Sequence, residues 1–336
     1  MNDRAHDVVP DTWHAWAWMG DGDPRALARQ TVDATLPRSG EVLVRNAVIG
    51  LNPVDWKVLD GALVDWQPGK VPGVDGAGVV VAVGAGVSDT RLGERVAYHT
   101  SLATSGSFAE YTPVPARALL RLPQALDFAT AASFPCPALT AWLALDKVPP
   151  VEGQRVLISG AGGAVGHYAV QLAAQRGFDV SVMCHERHWE RLRSLGAQAH
   201  VDGPLADRGP WADAHAAQFF AVIDSVNEAH AARLAPVLRA NGHLVCIQGR
   251  VADWPCAPFG RALSLHEVAF GALHRHGNDA DWKRLVNAGE QMLRSIAEGS
   301  LVAEACVVGE FADLPQQLDA LRHRSFSGKP LVAVQH

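Results

Sequence analysis

Several things are scarce in this chain, and each scarcity removes a class of function. Its 336 residues hold five cysteines, Cys136, Cys184, Cys246, Cys256 and Cys306, and no C-x-x-C pair. An odd number of thiols at wide spacing is a poor disulfide framework and suits a reducing compartment. No apolar run approaches the roughly 18 residues that a membrane helix needs. The first residues, MNDRAHDVVPDTW, lack the apolar stretch of a secretory signal. Charged residues make up 19% of the chain, the formal charge is −6 and no long basic run is present, which argues against a nucleic-acid surface. Internal repeats and low-complexity linkers are absent too. The expectation is a cytoplasmic protein whose partner is neither nucleic acid nor membrane.

What is present is ordinary globular material, 48% hydrophobic, in a chain longer than one core usually supports, so two domains are expected. The first third is strand-rich: HAWAWMG, GEVLVRNAVIG, GAGVVVAVG and ERVAYHT alternate or carry β-branched residues, punctuated by LPRSG, QPGKVPG and GAGVSD. A compact β-barrel or sandwich fits that pattern. From about Asp127 the chain turns Ala-rich and helical through ATAASFPCPALTAWLAL. Strand and helix signals then alternate to about residue 250, the mark of a parallel sheet wrapped by helices. DWKRLVNAGEQMLRSIAEG predicts an amphipathic helix with Leu285, Ala288, Met292 and Ile296 on one face, and KPLVAV closes the chain as a strand.

The most informative stretch is RVLISGAGGAVGHYAVQLAAQRGFDVSVM, residues 155–183. A short apolar strand runs into a glycine-rich turn, then into a helix with Val165, Ala169, Leu172 and Ala173 as its stripe, and Gly177 stops the helix before a second strand. Gly160, Gly163 and Gly166 give a G-x-x-G-x-x-G spacing with Gly162 between, not the commoner G-x-G-x-x-G. The absence of side chains there lets backbone approach a pyrophosphate, while Ala164 and Val165 open a helix whose free N–H groups face it. In this strand–turn–helix setting the motif predicts a bound dinucleotide. At the tip of the second strand, Met183 and Cys184 bring no acid for a ribose diol. His185, Arg187, His188 and Arg191 follow, cations suited to a 2′-phosphate. NADP(H) is therefore the expected cofactor, with Glu186 as the contrary sign, and these side chains are in part the solvated face of the next helix.

A second stretch, GLNPVDWKV, residues 50–58, places an amide (Asn52), a carboxylate (Asp55) and an ammonium (Lys57) just past an apolar strand. Such groups either shape a turn in solvent or belong to a site.

Taken together, GEVLVRNAVIGLNPVDWKVLDG, VPGVDGAGVVVAVGAGVSDTRLGERVAY, GSFAEY, AASFPCPALTAWLAL, the glycine segment, SLGAQAHVD, LRANGHLVCIQG and SGKPLVAV resemble, in order, the medium-chain dehydrogenase/reductases, and within them the zinc-independent quinone and enone reductases. The resemblance covers nearly the whole chain. It implies an α/β protein: a GroES-like β-barrel catalytic domain over residues 1–125, a Rossmann domain with a doubly wound parallel sheet over 126–274, and a C-terminal return to the catalytic domain over 275–336. A cleft between the domains would hold the active site, and a homodimer is expected, with LSLHEVAFGALH as a segment that would pair across it. The resemblance further assigns Thr140, Ser225, Gly249 and Lys329 to the cofactor. Trp56, Trp66 and Phe259 would line an aromatic pocket or simply pack, and His99 and His167 are read as incidental.

Departures from the family matter as much. Zinc-dependent members supply a cysteine where this chain has Asn52, and His and Glu where it has Val74 and Asp75; their four-cysteine lobe is missing from VAYHTSLATSGSFAEY. Three or four N or S ligands cannot be assembled, so no metal is expected. Without a Lewis acid, the hydride acceptor must already be electron-poor, as a quinone or an α,β-unsaturated carbonyl is. Lys57 would meet the developing oxyanion or donate a proton, Asn52 would position it, and Asp55 would orient Lys57 or serve the structure. Two other readings stay open: a catalytically idle NADPH-binding sensor or structural protein, and a zinc-type alcohol dehydrogenase with displaced ligands.

Overall fold

The computed structural model describes residues 9–61, 64–206, 210–324 and 327–335. An antiparallel hairpin comes first, β1 (Thr12–Ala17) against β2 (Ala28–Asp33), with Trp13, Ala15 and Ala17 turned inward at the period of two that the sequence carries. The strands β3 (Glu41–Gly50), β4 (Asp75–Val83), β5 (Arg95–His99), β6 (Tyr111–Pro115) and β7 (Leu119–Arg121) follow. β3 and β4 pair antiparallel, with register shifts at Leu43/Val44 and Asn46/Val48 that bend the sheet as bulges do.

The middle of the chain builds a six-stranded sheet from β8 (Arg155–Ser159), β9 (Asp179–Met183), β10 (Ala199–Val201), β11 (Phe219–Asp224), β12 (Leu238–Cys246) and β13 (Ser264–Glu267). Every pair is parallel and the order is β10-β9-β8-β11-β12-β13, the doubly wound Rossmann order with its switch point between β8 and β11. All six side chains of β11, FFAVID, are buried, as a central parallel strand covered on both faces requires.

The last strands, β14 (Cys306–Glu310) and β15 (Lys329–Ala333), return to the first sheet. β15 runs antiparallel to β3 with Leu331 opposite Gly50, so that the seven-stranded order is β14-β15-β3-β4-β5-β7, with β6 on β3. Two compact units result: Met1–Cys136 with Gly271–His336, and Pro137–Phe270. The first buries a core around Trp13, Trp18, Trp66, Phe108 and Leu43; the second around Leu157, Phe219, Val222 and Leu244. Among the described residues no helix is long and apolar enough to cross a membrane.

Helix α1 is short, Pro53–Lys57. The Ala-rich stretch becomes two helices, α2 (Phe128–Ser133) and α3 (Pro135–Asp146), because Pro135 can open a helix but not continue one. Helix α4 (Ala164–Gln175) differs from its predicted stripe: every residue from Gly166 to Ala173 is buried and Val165 is only half-buried. The long helix Asp279–Ala297 buries Trp282, Leu285, Gly289, Met292 and Leu293, a face rotated from the one expected, with Ala288 and Ile296 at its margin. LSLHEVAFGALH is a strand only over Ser264–Glu267; Ala272–His276 is helical. Phe259 packs against nothing: it is fully exposed at φ +58°.

Candidate active site

Asn52, Asp55, Asp75 and Lys329 converge in the first unit, and the register explains why. Gly50 stands opposite Asp75 on β4 and opposite Leu331 on β15, which brings the ends of three strands together. A Cβ on Gly50 would lie 2.2 Å from the carbonyl oxygen of Ala132 and 3.1 Å from the Asp75 Cβ, so glycine alone fits there. Asn52 Nδ2 donates to Asp75 Oδ2 at 2.8 Å, and the Lys329 ammonium donates to Asn52 Oδ1. The backbone N–H of Cys136 donates to both Asp75 oxygens, at 3.2 and 3.0 Å. The Asp55 carboxyl accepts the backbone N–H of Asn52 at 2.7 Å and so caps α1.

All four side chains are buried. Burial lifts the Asp55 carboxyl to about 8; the nearby Asp75 charge adds to the rise, while the Asn52 N–H and Lys329 oppose it. Burial lifts Asp75 less, to about 6, because Lys329, the Asn52 amide and the Cys136 N–H all favour its charged form. At neutral pH the cluster holds a protonated Asp55 beside an ionised Asp75 and the Lys329 ammonium, a nearly compensated set, as a buried group of charges must be. Lys57 lies at the end of α1, half-buried, with its ammonium 5.6 Å from the centre of the Trp56 ring. Burial and, second, Arg324 lower its pKa from the ordinary lysine value. His99 sits opposite Asp75 in the β4–β5 register, and its Nδ1 is 3.0 Å from Nε2 of His274. Burial, then His274 and Lys329, hold His99 neutral.

The second unit carries the glycine turn where it was expected, between β8 and α4. Gly160 takes φ +66°, the left-handed region that favours glycine. A Cβ on Gly166 would meet Ala161 backbone at 2.3 Å, and one on Gly162 would meet the His188 ring at 2.4 Å. Gly163 is different: its Cβ would meet nothing nearer than the Gly160 oxygen at 3.8 Å, and as N-cap it offers no side chain to the first turn of the helix. The first intrahelical bond there is from His167 N to Gly163 O, so the N–H groups of Ala164, Val165 and Gly166 precede it and have no partner within the helix. Beneath the turn, the Ser225 hydroxyl is buried without a hydrogen-bond partner. Free donors, an unfilled cradle and a helix N-terminus suit the pyrophosphate of a dinucleotide.

Of the basic residues at the tip of β9, Arg191 is braced to the cradle: it donates to the Gly162 carbonyl at 2.8 Å and to His167 Nδ1 at 2.9 Å. Arg187 and His185 are exposed, and Arg187 Nε donates to His188 Nε2 at 3.1 Å. Burial, then Arg191, Arg187 and His185, lower the His188 pKa. Glu186 is exposed in a 3-10 turn. Thr140 is buried in α3, and Gly249 follows β12 at φ +90°. Three participants escaped sequence reasoning. Asp75 was visible as an acid at the head of the apolar run DGAGVVVAV, Cys136 reaches Asp75 through its backbone N–H, and Asp202 follows β10 close enough to help raise the Cys184 thiol, which burial raises most.

The alcohol dehydrogenase GroES-like domain model matches residues 38–124. The chloroplast envelope quinone oxidoreductase homolog of Arabidopsis thaliana is 32% identical over 246 residues, 70% of this chain and 75% of that protein. This chain belongs to the medium-chain dehydrogenase/reductases, in their quinone oxidoreductase and enone reductase branch. The 2-methylene-furan-3-one reductase of Solanum lycopersicum is 31% identical over 255 residues, 72% of this chain and 64% of that one. In fold, the chain is similar to a structure described as a putative NADPH:quinone reductase from Bacillus thuringiensis, with a TM-score of 0.83 over 96% of this chain and 99% of that one at 24% identity. As a medium-chain dehydrogenase/reductase the protein is an oxidoreductase, and its parallel sheet and glycine turn indicate a nicotinamide cofactor. Among the described residues no group of three or more His, Cys, Asp or Glu side chains is placed to hold a metal ion.

Proposed function

We propose that the protein is an NADPH-dependent reductase that delivers hydride to a quinone or an α,β-unsaturated carbonyl without zinc. The observation that carries this reading is the Asn52–Asp75–Lys329 network. At the place where zinc-dependent relatives set ligands, both ends of the amide are engaged, one by a carboxylate and one by an ammonium. A cation already held there would repel a divalent one. A bound nicotinamide supplies the hydride; this chain's residues supply binding, orientation and the proton.

Gly163 and the first turn of α4 receive the pyrophosphate, and Arg187, Arg191 and His188 favour a 2′-phosphate over a bare ribose diol. Lys57 holds a proton on Nζ, and its lowered pKa brings it nearer to neutrality, where a general acid works best. Its role is to meet the oxygen of the acceptor as negative charge develops and to complete the reduction. Asn52 keeps the end of β3 and the start of α1 in register for that task, while Lys329 acts electrostatically within the buried cluster.

The relatives' names include quinone oxidoreductases and an enone-type reductase, which supports electron-poor acceptors for this chain as well. A kinetic panel tests the reading. Purified protein treated with a chelator should oxidise NADPH with quinones, enones or enals and leave simple ketones untouched. Metal analysis should find no stoichiometric zinc. Loss of turnover on metal removal would overturn the proposal.

A further inference from the structure

Two strand ends of the Rossmann unit meet at one buried carboxylate. Asp224 closes β11 and is 1% exposed. Its Oδ2 accepts the Ser159 hydroxyl at 2.6 Å and the His230 Nδ1–H, and its Oδ1 accepts the backbone N–H groups of Val226 at 2.9 Å and Asn227 at 3.2 Å. Ser159 is the last residue of β8, next to Gly160 of the cradle. His230 is fully buried, and its second nitrogen, Nε2, accepts the backbone N–H of Leu205 at 3.1 Å. An amide N–H can only donate, so Nε2 must be bare and Nδ1 must carry the proton that Asp224 receives. The imidazole therefore has one tautomer, fixed from both sides.

Leu205 belongs to the segment that follows β10, and this segment covers the tip of β9. A Cβ on Gly203 would lie 2.4 Å from Met183 Cγ and would have to displace that side chain, and Asp202 reaches the neighbourhood of Cys184. The tip of the second strand is where such folds hold the adenosine ribose or its 2′-phosphate.

We propose that Asp224 and His230 are positioning residues for the cofactor. Through Ser159 they hold the pyrophosphate turn, and through Leu205 they hold the wall beside the adenosine ribose, so that discrimination between NADPH and NADH depends on a buried pair that touches neither. The inference rests on the cofactor part of the proposed function, not on the acceptor.

Two substitutions separate the two arms. Ser159→Ala removes only the link to the turn, which both dinucleotides use. His230→Asn keeps a donor at the Nδ1 position for Asp224 but drops the acceptor for Leu205. Asp224→Asn is a second route to the same break. Its amide nitrogen would face Nδ1, the imidazole would shift its proton to Nε2, and two donors would then oppose each other at Leu205. Dissociation constants for NADPH and NADH are read from nicotinamide fluorescence, with no acceptor present, on variants whose circular dichroism matches the parent.

Ser159→Ala is expected to weaken both dinucleotides by the same factor, about threefold to tenfold for one lost hydrogen bond. His230→Asn and Asp224→Asn should lower the NADPH-over-NADH preference by about fivefold, the scale of one hydrogen bond. If the folded His230→Asn and Asp224→Asn proteins keep the parent's preference, the inference is overturned while the NADPH reading stands. A parent protein that binds neither dinucleotide would end both.

Discussion

At the residue scale the decisive quantity is how burial sets protonation. Asp55 has its folded pKa near 8, far above that of a carboxylate in an unfolded chain, about 4. Between those values the unfolded chain has lost a proton that the folded one keeps. The stability contributed by this group is therefore full below about pH 4 and is lost as pH rises towards 8. Asp55→Asn retains an acceptor for the Asn52 N–H and cannot ionise, so its denaturant stability should stay flatter over that window than the parent's. Lys57 acts in the opposite sense on rate. As a donor it works while protonated, so turnover should fall as pH rises through its pKa, earlier than an ordinary lysine would allow. Lys57→Met should reduce kcat by about 10²-fold with little change in NADPH affinity, as loss of a general acid does. Lys57→Arg should carry the alkaline limb of the pH–rate profile to higher pH. The polar trio at the end of β3 was legible in GLNPVDWKV. Its partners were not, because Asp75 and Lys329 lie 23 and 277 positions from Asn52 and meet it only through strand pairing.

At the element scale, the glycine turn divides two jobs between residues three positions apart. Gly166 gives α4 room against the Ala161 backbone, whereas Gly163 leaves open the space a phosphate would enter. Gly166→Ala should therefore lower the melting temperature, at the roughly 1–3 kcal/mol that overpacking costs. Gly163→Val should leave the melting temperature nearly unchanged and abolish the fluorescence change on adding NADPH. The strand–turn–helix–strand run was readable because each of its signals is local: an apolar strand, glycines, an apolar helix and a glycine stop. The stripes within helices were less so. Of the stripe expected on α4, Ala169, Leu172 and Ala173 are buried and Val165 only half so, but the helix is buried nearly all round, and no periodicity marks one side of such a helix. The face of Asp279–Ala297 was rotated because Trp282 and Gly289, not Ala288 and Ile296, meet the core.

At the scale of the whole molecule, the chain's end completes what its beginning starts. β15 inserts beside β3 and delivers Lys329 to two buried carboxyls. Lys329→Met would leave Asp75 ionised and uncompensated, at a loss of about 3 kcal/mol in unfolding free energy. Lys329 lowers the Asp75 pKa, so the variant's carboxyl would regain its proton at a higher pH than the parent's, which does so at about 6; the loss should therefore shrink as pH falls towards 6, which denaturation at pH 5 and pH 7.5 would reveal. The parent should show no such recovery at the same position.

From the sequence alone came the fold class, the place of the dinucleotide turn and the family, because all of these are written in short runs of neighbouring residues. The tertiary structure decided which side chains share a site and what charge each carries there. Asp75 became the partner of Asn52, Lys329 joined a buried cluster, and Arg191, expected beside a 2′-phosphate, is hydrogen-bonded to the Gly162 carbonyl. Protonation depends on burial and on neighbours across strands, and neither exists until the sheets are assembled.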